Sequence, residues 1–215
     1  MRSLSVPRLL FVIVLFFSVH FGATAQKQVA ASSSEILHAM KRLNVLGTVM
    51  YIAAHPDDEN TRLLAYMARD RNYKTAYLAM TRGDGGQNLI GDEQGIELGL
   101  IRTQELLAAR RVDGAEQFFT RAYDFGFSKR TEEALTMWDK QKVLADAVWV
   151  IRNFKPDVII TRFPEDSRAG HGHHSGSAVI AREAFVAAAD PKMFPEQFKS
   201  GVGPWKAKRI MWNTF

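Results

Sequence analysis

Short apolar runs of strand length alternate with helix-length segments along this chain, and this alternation constrains its fold more than any other feature. The clearest run, residues 45–54, is continuously apolar, as expected of a parallel strand buried on both faces. Further strands are predicted at residues 74–81, 116–120, 156–162 and 207–214. Helices are predicted at residues 34–43, 61–70, 93–111, 131–154 and 177–190. The pattern predicts an α/β fold: a Rossmann-like, mostly parallel sheet with helices on both faces.

The first 25 residues are predicted to be a signal peptide, outside the folded domain. Arg2 and Arg8 precede an apolar stretch at residues 9–19, and Ala23-Thr24-Ala25 fits an A-x-A cleavage site. The apolar stretch is shorter than the roughly 20 residues that span a bilayer as a helix. We therefore expect export to the periplasm or the cell exterior, without stable membrane insertion after cleavage. An uncleaved membrane anchor is the alternative.

Composition narrows the class of protein further. The chain has 215 residues, enough for one domain with a sizeable core. Its 28 Lys and Arg residues against 23 Asp and Glu give a net charge of +5, but the basic residues are dispersed, which does not predict nucleic-acid binding. The absence of cysteine excludes disulfides, thiolate metal sites and a lipoprotein anchor.

The mature chain is predicted to have two parts. Residues 26–44 are expected to form an N-terminal arm and a short helix, and residues 45–215 the α/β domain. The sequence stops on an apolar predicted strand, so we expect it to be the front part of a longer polypeptide. No pattern in the sequence predicts an oligomeric state.

The segment AAHPDDEN, residues 53–60, directly follows the first predicted strand. Pro56 and the acidic residues suit the start of a helix, so an acid-capped helix is the structural alternative to a functional role. Capping does not need a histidine before the proline. His55 and Asp58 are three residues apart, so one helical turn would aim both at one point, and imidazole with carboxylate is a zinc-type pair. Asp57 lies beside that pair and is free to handle a proton.

The segment AGHGHHSGSA, residues 169–178, holds three of the six histidines of the chain. Exposed histidines in a flexible loop are the alternative interpretation. The segment follows a predicted strand and precedes a predicted helix, as the first segment does, and ligands of such sheets bind at the carboxyl ends of the strands. A His-Asp pair from one loop and one histidine from the other would supply three protein ligands and leave a fourth position open, as in catalytic zinc sites.

Together these segments resemble the signatures of the LmbE-like, or PIG-L, deacetylase family. AHPDDE looks like the first signature, and His171-Gly172-His173-His174 fits the second, H-x-x-H. The resemblance runs from about Val45 to Phe215. It implies a Rossmann-like fold and zinc-dependent hydrolysis of the N-acetyl group of an N-acetylglucosamine-type sugar or glycoconjugate.

Carried over by position, the resemblance implies a role for each residue of the two motifs. The implied zinc ligands are His55, Asp58 and His174. Asp57 would be the general base, and His171 the protonated or polarising partner of the oxyanion. The family usually has aspartate or a similar residue at the position of His173, so His173 is an alternative ligand to His174.

The implied mechanism is hydrolysis by metal-activated water. Zinc lowers the pKa of a bound water, Asp57 takes its proton, and zinc with His171 stabilises the oxyanion. Either Asp57 or His171 would protonate the leaving amine. Iron(II) suits the same ligands as zinc. On the substrate side, Arg102 and Asp124 resemble family residues that contact the sugar.

Three other functions are open to a chain of this pattern. An amidase of the same family would act on a non-sugar or thiol-conjugate amide. A nucleotide-binding Rossmann protein would need G-x-G-x-x-G after the first strand, where this chain has His-Pro-Asp-Asp. A non-catalytic carbohydrate-binding module would need neither Asp57 nor His171.

Overall fold

A computed structural model describes residues 31–214, and the predicted signal peptide therefore lies outside the described residues. The chain divides into two units, Met1–Ala39 and Met40–Phe215. Most of helix α1 (Ser33–Arg42) belongs to the first unit, and none of its side chains is buried. The second unit contains the sheet and every residue that the sequence assigns to chemistry.

The second unit is built on five parallel strands in the order β3-β2-β1-β4-β5. Their bounds are Thr48–Ala53 for β1, Lys74–Ala79 for β2, Glu116–Phe119 for β3, Val158–Thr161 for β4 and Arg209–Trp212 for β5. Each strand falls inside a predicted apolar run and is shorter than it. The predicted α/β fold with a parallel sheet is confirmed.

The helices connect the strands, and two of the predicted helices differ from the observed ones by a break or by more than three residues at one end. The connecting helices are α2 (Thr61–Ala65, continued by a π-helical turn at Tyr66–Asp70), α3 (Ile96–Asp113), α4 (Thr131–Met137), α5 (Lys140–Phe154) and α6 (Gly172–Ala187). The single helix predicted at 131–154 is wrong, because Asp139 adopts φ +56° and separates α4 from α5. The helix predicted at 177–190 begins five residues earlier, so two of its histidines lie in its first turn.

Apolar side chains fill both faces of the sheet. On one face Met50 and Ile52 of β1 pack in a core with residues of α5 and α6. On the other face Tyr51 of β1 packs with Leu64 of α2 and Leu106 of α3. Alternate residues of one strand thus enter two cores, which explains why β1 is apolar throughout. Within residues 31–214, no helix is long and apolar enough to cross a membrane.

The strand order sets the position of the site. The chain runs from β1 through β2 to β3 on one side of the sheet, and β4 then pairs with β1 on the other side. The order therefore reverses between β1 and β4, and a crevice opens at their carboxyl ends, where ligands of such sheets bind. The two polar segments found in the sequence follow these two strands.

Candidate active site

Residues 55–60 form a turn, and helix α2 begins only at Thr61. The expectation that His55 and Asp58 share the first turn of a helix is therefore wrong. The turn still brings them together, because the backbone N–H of His55 donates to Asp58 Oδ2 at 2.7 Å and His55 Nδ1 lies 3.1 Å from the same oxygen. Asp57, between them, has φ +93°, a strained value for a residue with a side chain.

His174 reaches this pair from the first turn of α6. Its Nε2 lies 3.5 Å from Asp58 Oδ1, and its Nδ1 lies 3.0 Å from the carbonyl oxygen of Ala169. Because a carbonyl only accepts, Nδ1 carries the proton and Nε2 presents a lone pair towards Asp58. The Phe163 ring stacks on the imidazole, with ring centroids 3.8 Å apart, and holds its orientation.

This group has the donor set and spacing of a metal site. One ligand atom from each of His55, Asp58 and His174 lies within 4.8 Å of the others. Bonds of about 2.0–2.1 Å to a tetrahedral zinc ion would place ligand atoms ~3.3 Å apart. His55 Nδ1 lies 3.1 Å from Asp58 Oδ2 and His174 Nε2 lies 3.5 Å from Asp58 Oδ1, so each imidazole is near that distance from one oxygen of the carboxylate. Two imidazoles and one carboxylate therefore fit zinc or a similar divalent ion.

His173, the alternative ligand, points away from the cleft into an aromatic pocket. It is fully buried, its ring stacks on Trp138, and Phe125 meets it edge-on. Its Nδ1 lies 2.9 Å from His55 Nε2, and its Nε2 is buried without a hydrogen-bond partner. His173 also groups with His55 and His171 within 4.8 Å, but that set lacks a carboxylate. The pKa of His173 falls to about 3, mainly because the ring is buried and to a smaller extent because of the neighbouring histidines.

Asp57 and Arg102, predicted as base and substrate contact, form an ion pair at the cleft. Arg102 Nη2 donates to Asp57 Oδ2 at 2.8 Å and to the carbonyl oxygen of Pro56 at 2.9 Å. The Asp57 side chain is 71% exposed, so solvent reaches the carboxylate despite the pair. Arg102 thus orients the Asp57 carboxylate.

Asp124, the second predicted substrate contact, lies in the loop after β3. It is nearly buried, with Oδ2 3.9 Å from His55 Nε2 and Oδ1 3.7 Å from His173 Nδ1. Burial raises its pKa above the usual value. The structure therefore brings Asp124 to the cleft and places it beside the histidines.

Sequence reasoning missed Ser128, which holds the second histidine motif. Its Oγ lies 3.0 Å from His171 Nδ1 and accepts the backbone N–H of His173 at 2.8 Å. The pKa of His171 falls to about 4, first through burial and then through the charges of His174 and His55. His171 is therefore a neutral imidazole at neutral pH. A serine 43 residues away in sequence carries no local signal of this contact.

Sequence reasoning also missed the function of Glu59, the last acid of the first motif. Glu59 Oε2 accepts the backbone N–H of Asp57 at 2.9 Å, and Glu59 Oε1 accepts from Arg110 Nη2 at 3.2 Å. Arg110 also donates to Asp113 Oδ2 at 2.6 Å. This buried network anchors the turn that carries Asp57. The i, i+3 spacing of Arg110 and Asp113 was its only signal in the sequence.

All the predicted site residues line one cleft of about 550 Å³, whereas the alternative ligand His173 is buried and does not. The glycine-rich loop after β2 forms its opposite wall with Gly83, Gly85 and Gly86. A Cβ on Gly85 would lie 2.2 Å from the backbone oxygen of Asp124, so only glycine allows the two loops to meet here. The cleft therefore combines a metal-type donor set, a largely exposed carboxylate and an imidazole that is not part of that set.

Comparison with known proteins identifies related sequences. A family model described as GlcNAc-PI de-N-acetylase (PIG-L) matches residues 50–185. A 1D-myo-inositol 2-acetamido-2-deoxy-alpha-D-glucopyranoside deacetylase of Geodermatophilus obscurus is 30% identical over 181 residues, which cover 76% of this chain and 60% of the relative. A mycothiol S-conjugate amidase of Streptomyces coelicolor is 30% identical over 161 residues, 69% of this chain and 55% of the relative.

The fold also matches a solved structure. The N,N'-diacetylchitobiose deacetylase from Pyrococcus horikoshii superposes with a TM-score of 0.59 at 17% identity, over 86% of this chain and 70% of that one. At this identity the likeness shows the fold alone. The chain spans less than two thirds of the length of the two relatives above. The family match, residues 50–185, includes both motifs, and the chain belongs to the GlcNAc-PI de-N-acetylase (PIG-L) family.

Proposed function

We propose that this chain carries the active site of a zinc-dependent de-N-acetylase that acts on an N-acetylglucosamine-type sugar or glycoconjugate. The observation that carries the proposal is the convergence of His55, Asp58 and His174 in one cleft, with the Asp57 carboxylate beside them. The relative from Geodermatophilus obscurus is named as a deacetylase of an acetamido-deoxyglucopyranoside, which supports the substrate class.

His55, Asp58 and His174 would hold the metal. When bound, a zinc ion supplies Lewis acidity that makes water a stronger nucleophile near pH 7 and polarises an amide carbonyl. His174 is prepared for this by its bond to Ala169, which keeps the proton on Nδ1 and leaves Nε2 unprotonated. The same donor set accepts iron(II), so the metal has to be identified by analysis of the purified protein.

Asp57 would act as the general base. Its carboxylate is the only one of the first motif that is largely exposed to the cleft, since Asp58 and Glu59 are buried by their partners. The Arg102 guanidinium fixes the position of its Oδ2, and the Glu59 carboxylate fixes its backbone. A base held in this way loses little orientational freedom when it takes a proton from water.

The proposal is tested by metal analysis together with acetate release. Protein purified without added metal is analysed for zinc and iron, stripped with a chelator, and reloaded with each ion. Each form is assayed with N-acetylglucosamine, its methyl glycoside, N,N'-diacetylchitobiose and a mycothiol S-conjugate. Metal-dependent acetate release from a sugar supports the proposal. Cleavage of the S-conjugate amide alone would assign the chain to amidases, and no cleavage in any metal form would refute hydrolysis.

We also propose that the protein is exported and processed. The support is the charged start, the short apolar stretch and the A-x-A site of the first 25 residues. N-terminal sequencing of the native protein, after separation of soluble and membrane fractions, should give Gln26. Recovery of Met1 in the membrane fraction would show an anchor instead.

A further inference from the structure

Ser128 makes three contacts to the segment that carries the second histidine motif. Its carbonyl oxygen accepts the N–H of Gly172 at 2.9 Å, its Oγ accepts the N–H of His173 at 2.8 Å, and the same Oγ lies 3.0 Å from His171 Nδ1. Ser128 is fully buried. A Cβ on Gly172 would lie 2.7 Å from Ser128 Oγ, so this close approach also requires the glycine.

The hydrogen bonds of Ser128 decide which ring nitrogen of His171 carries the proton. A serine hydroxyl has one proton, and the described contacts of Ser128 Oγ include one side-chain acceptor, His171 Nδ1. If Nδ1 carried the proton, the buried hydroxyl proton would have no acceptor, which costs free energy. The N–H of His173 also points at His171 Nδ1, at 3.3 Å, and would oppose a second proton there. Nδ1 is therefore the acceptor.

We infer that Ser128 is a positioning residue that holds His171 in the tautomer with the proton on Nε2, so that His171 offers the cleft a hydrogen-bond donor. The inference rests on the proposed deacetylase function. His171 lines the cleft, and with Nδ1 bound to Ser128 the protonated Nε2 is the ring nitrogen left for the substrate. An imidazole N–H is a side-chain donor of the kind that stabilises an oxyanion.

The tautomer is measured directly by two-bond ¹H–¹⁵N correlation spectra of the zinc-loaded protein labelled at histidine nitrogens, with His171→Ala used to assign the signals of His171. The expected result is an unprotonated Nδ1 and a protonated Nε2. In Ser128→Ala the His171 signals should change to a mixture of tautomers. A wild-type His171 that is protonated on Nδ1, or an unchanged tautomer in Ser128→Ala, would overturn the inference.

Kinetics provide the second readout. Ser128→Ala should lower kcat by about 10-fold to 100-fold with little change in KM and in zinc content, because an oxyanion donor acts in the transition state. Ser177→Ala is the matched control: Ser177 is also buried, but its Oγ donates to the His174 carbonyl and does not contact His171. Equal kcat losses in both variants would indicate a structural effect and overturn the inference. The spectra report the tautomer even if no acetate release is found, so failure of the proposed function is recognised separately.

Discussion

The buried network of Arg110 provides the sharpest test of how the turn that carries Asp57 is held. In Arg110→Met, Glu59 and Asp113 would keep their carboxylates, which are 5% and 6% exposed, without the guanidinium that both contact. Leaving buried charges without their partner costs about 3–5 kcal/mol. For a domain of this size each kcal/mol lowers the Tm by about 2–4 °C, so the expected decrease is roughly 6–20 °C. The free energy of unfolding is measured by urea denaturation of chelator-treated protein, which removes the contribution of bound metal.

A matched surface pair separates this effect from the loss of any ion pair. Arg121 makes a two-pronged ion pair with Asp146, but the arginine side chain is 58% exposed. Arg121→Met should therefore cost less than about 1 kcal/mol. If both substitutions cost the same small amount, the carboxylates around Arg110 are solvated, and the network does not stabilise the turn as argued above.

Three further predictions concern the site. Asp57→Asn should retain the metal while turnover falls about 10²-fold or more, whereas Asp58→Ala should lose both metal and turnover. Metal content is measured beside acetate release, and loss of the metal in Asp57→Asn would show that the two roles are reversed. Gly172→Ala should lower the free energy of unfolding by about 1–3 kcal/mol, because its Cβ would lie 2.3 Å from a backbone carbonyl oxygen, and an unchanged melting curve would contradict this packing. In metal-free protein, burial holds the pKa of His173 at about 3, against 6.5 for the free side chain. The stability that the buried neutral imidazole contributes is therefore present above about pH 6.5 and is lost as the pH falls towards 3. His173→Phe should then weaken the pH dependence of urea denaturation in that interval, and an unchanged dependence would show that His173 is not buried in the neutral form.

The sequence by itself determined the fold class and the location of the chemistry. Apolar runs buried on both faces predict parallel strands, and a polar segment after β1 and another after β4 must meet at the same edge of the sheet. The motif residues that sequence pattern and family resemblance marked do converge in one cleft. Helix bounds were less predictable. The break at Asp139 depends on a positive φ, and the sequence has an aspartate there instead of the glycine that would indicate such a break.

Tertiary structure alone decided which way each histidine faces. His173 and His174 are neighbours on one helix, and nothing local distinguishes them; Trp138 and Phe125 enclose the first, while Phe163 stacks on the second beside the cleft. The same holds for Ser128 and Arg110, which reach the motifs from 43 and 51 residues away. A motif specifies which chemical groups are present, whereas their direction, tautomer and solvation follow from side chains brought together only by the packing of the sheet and its helices.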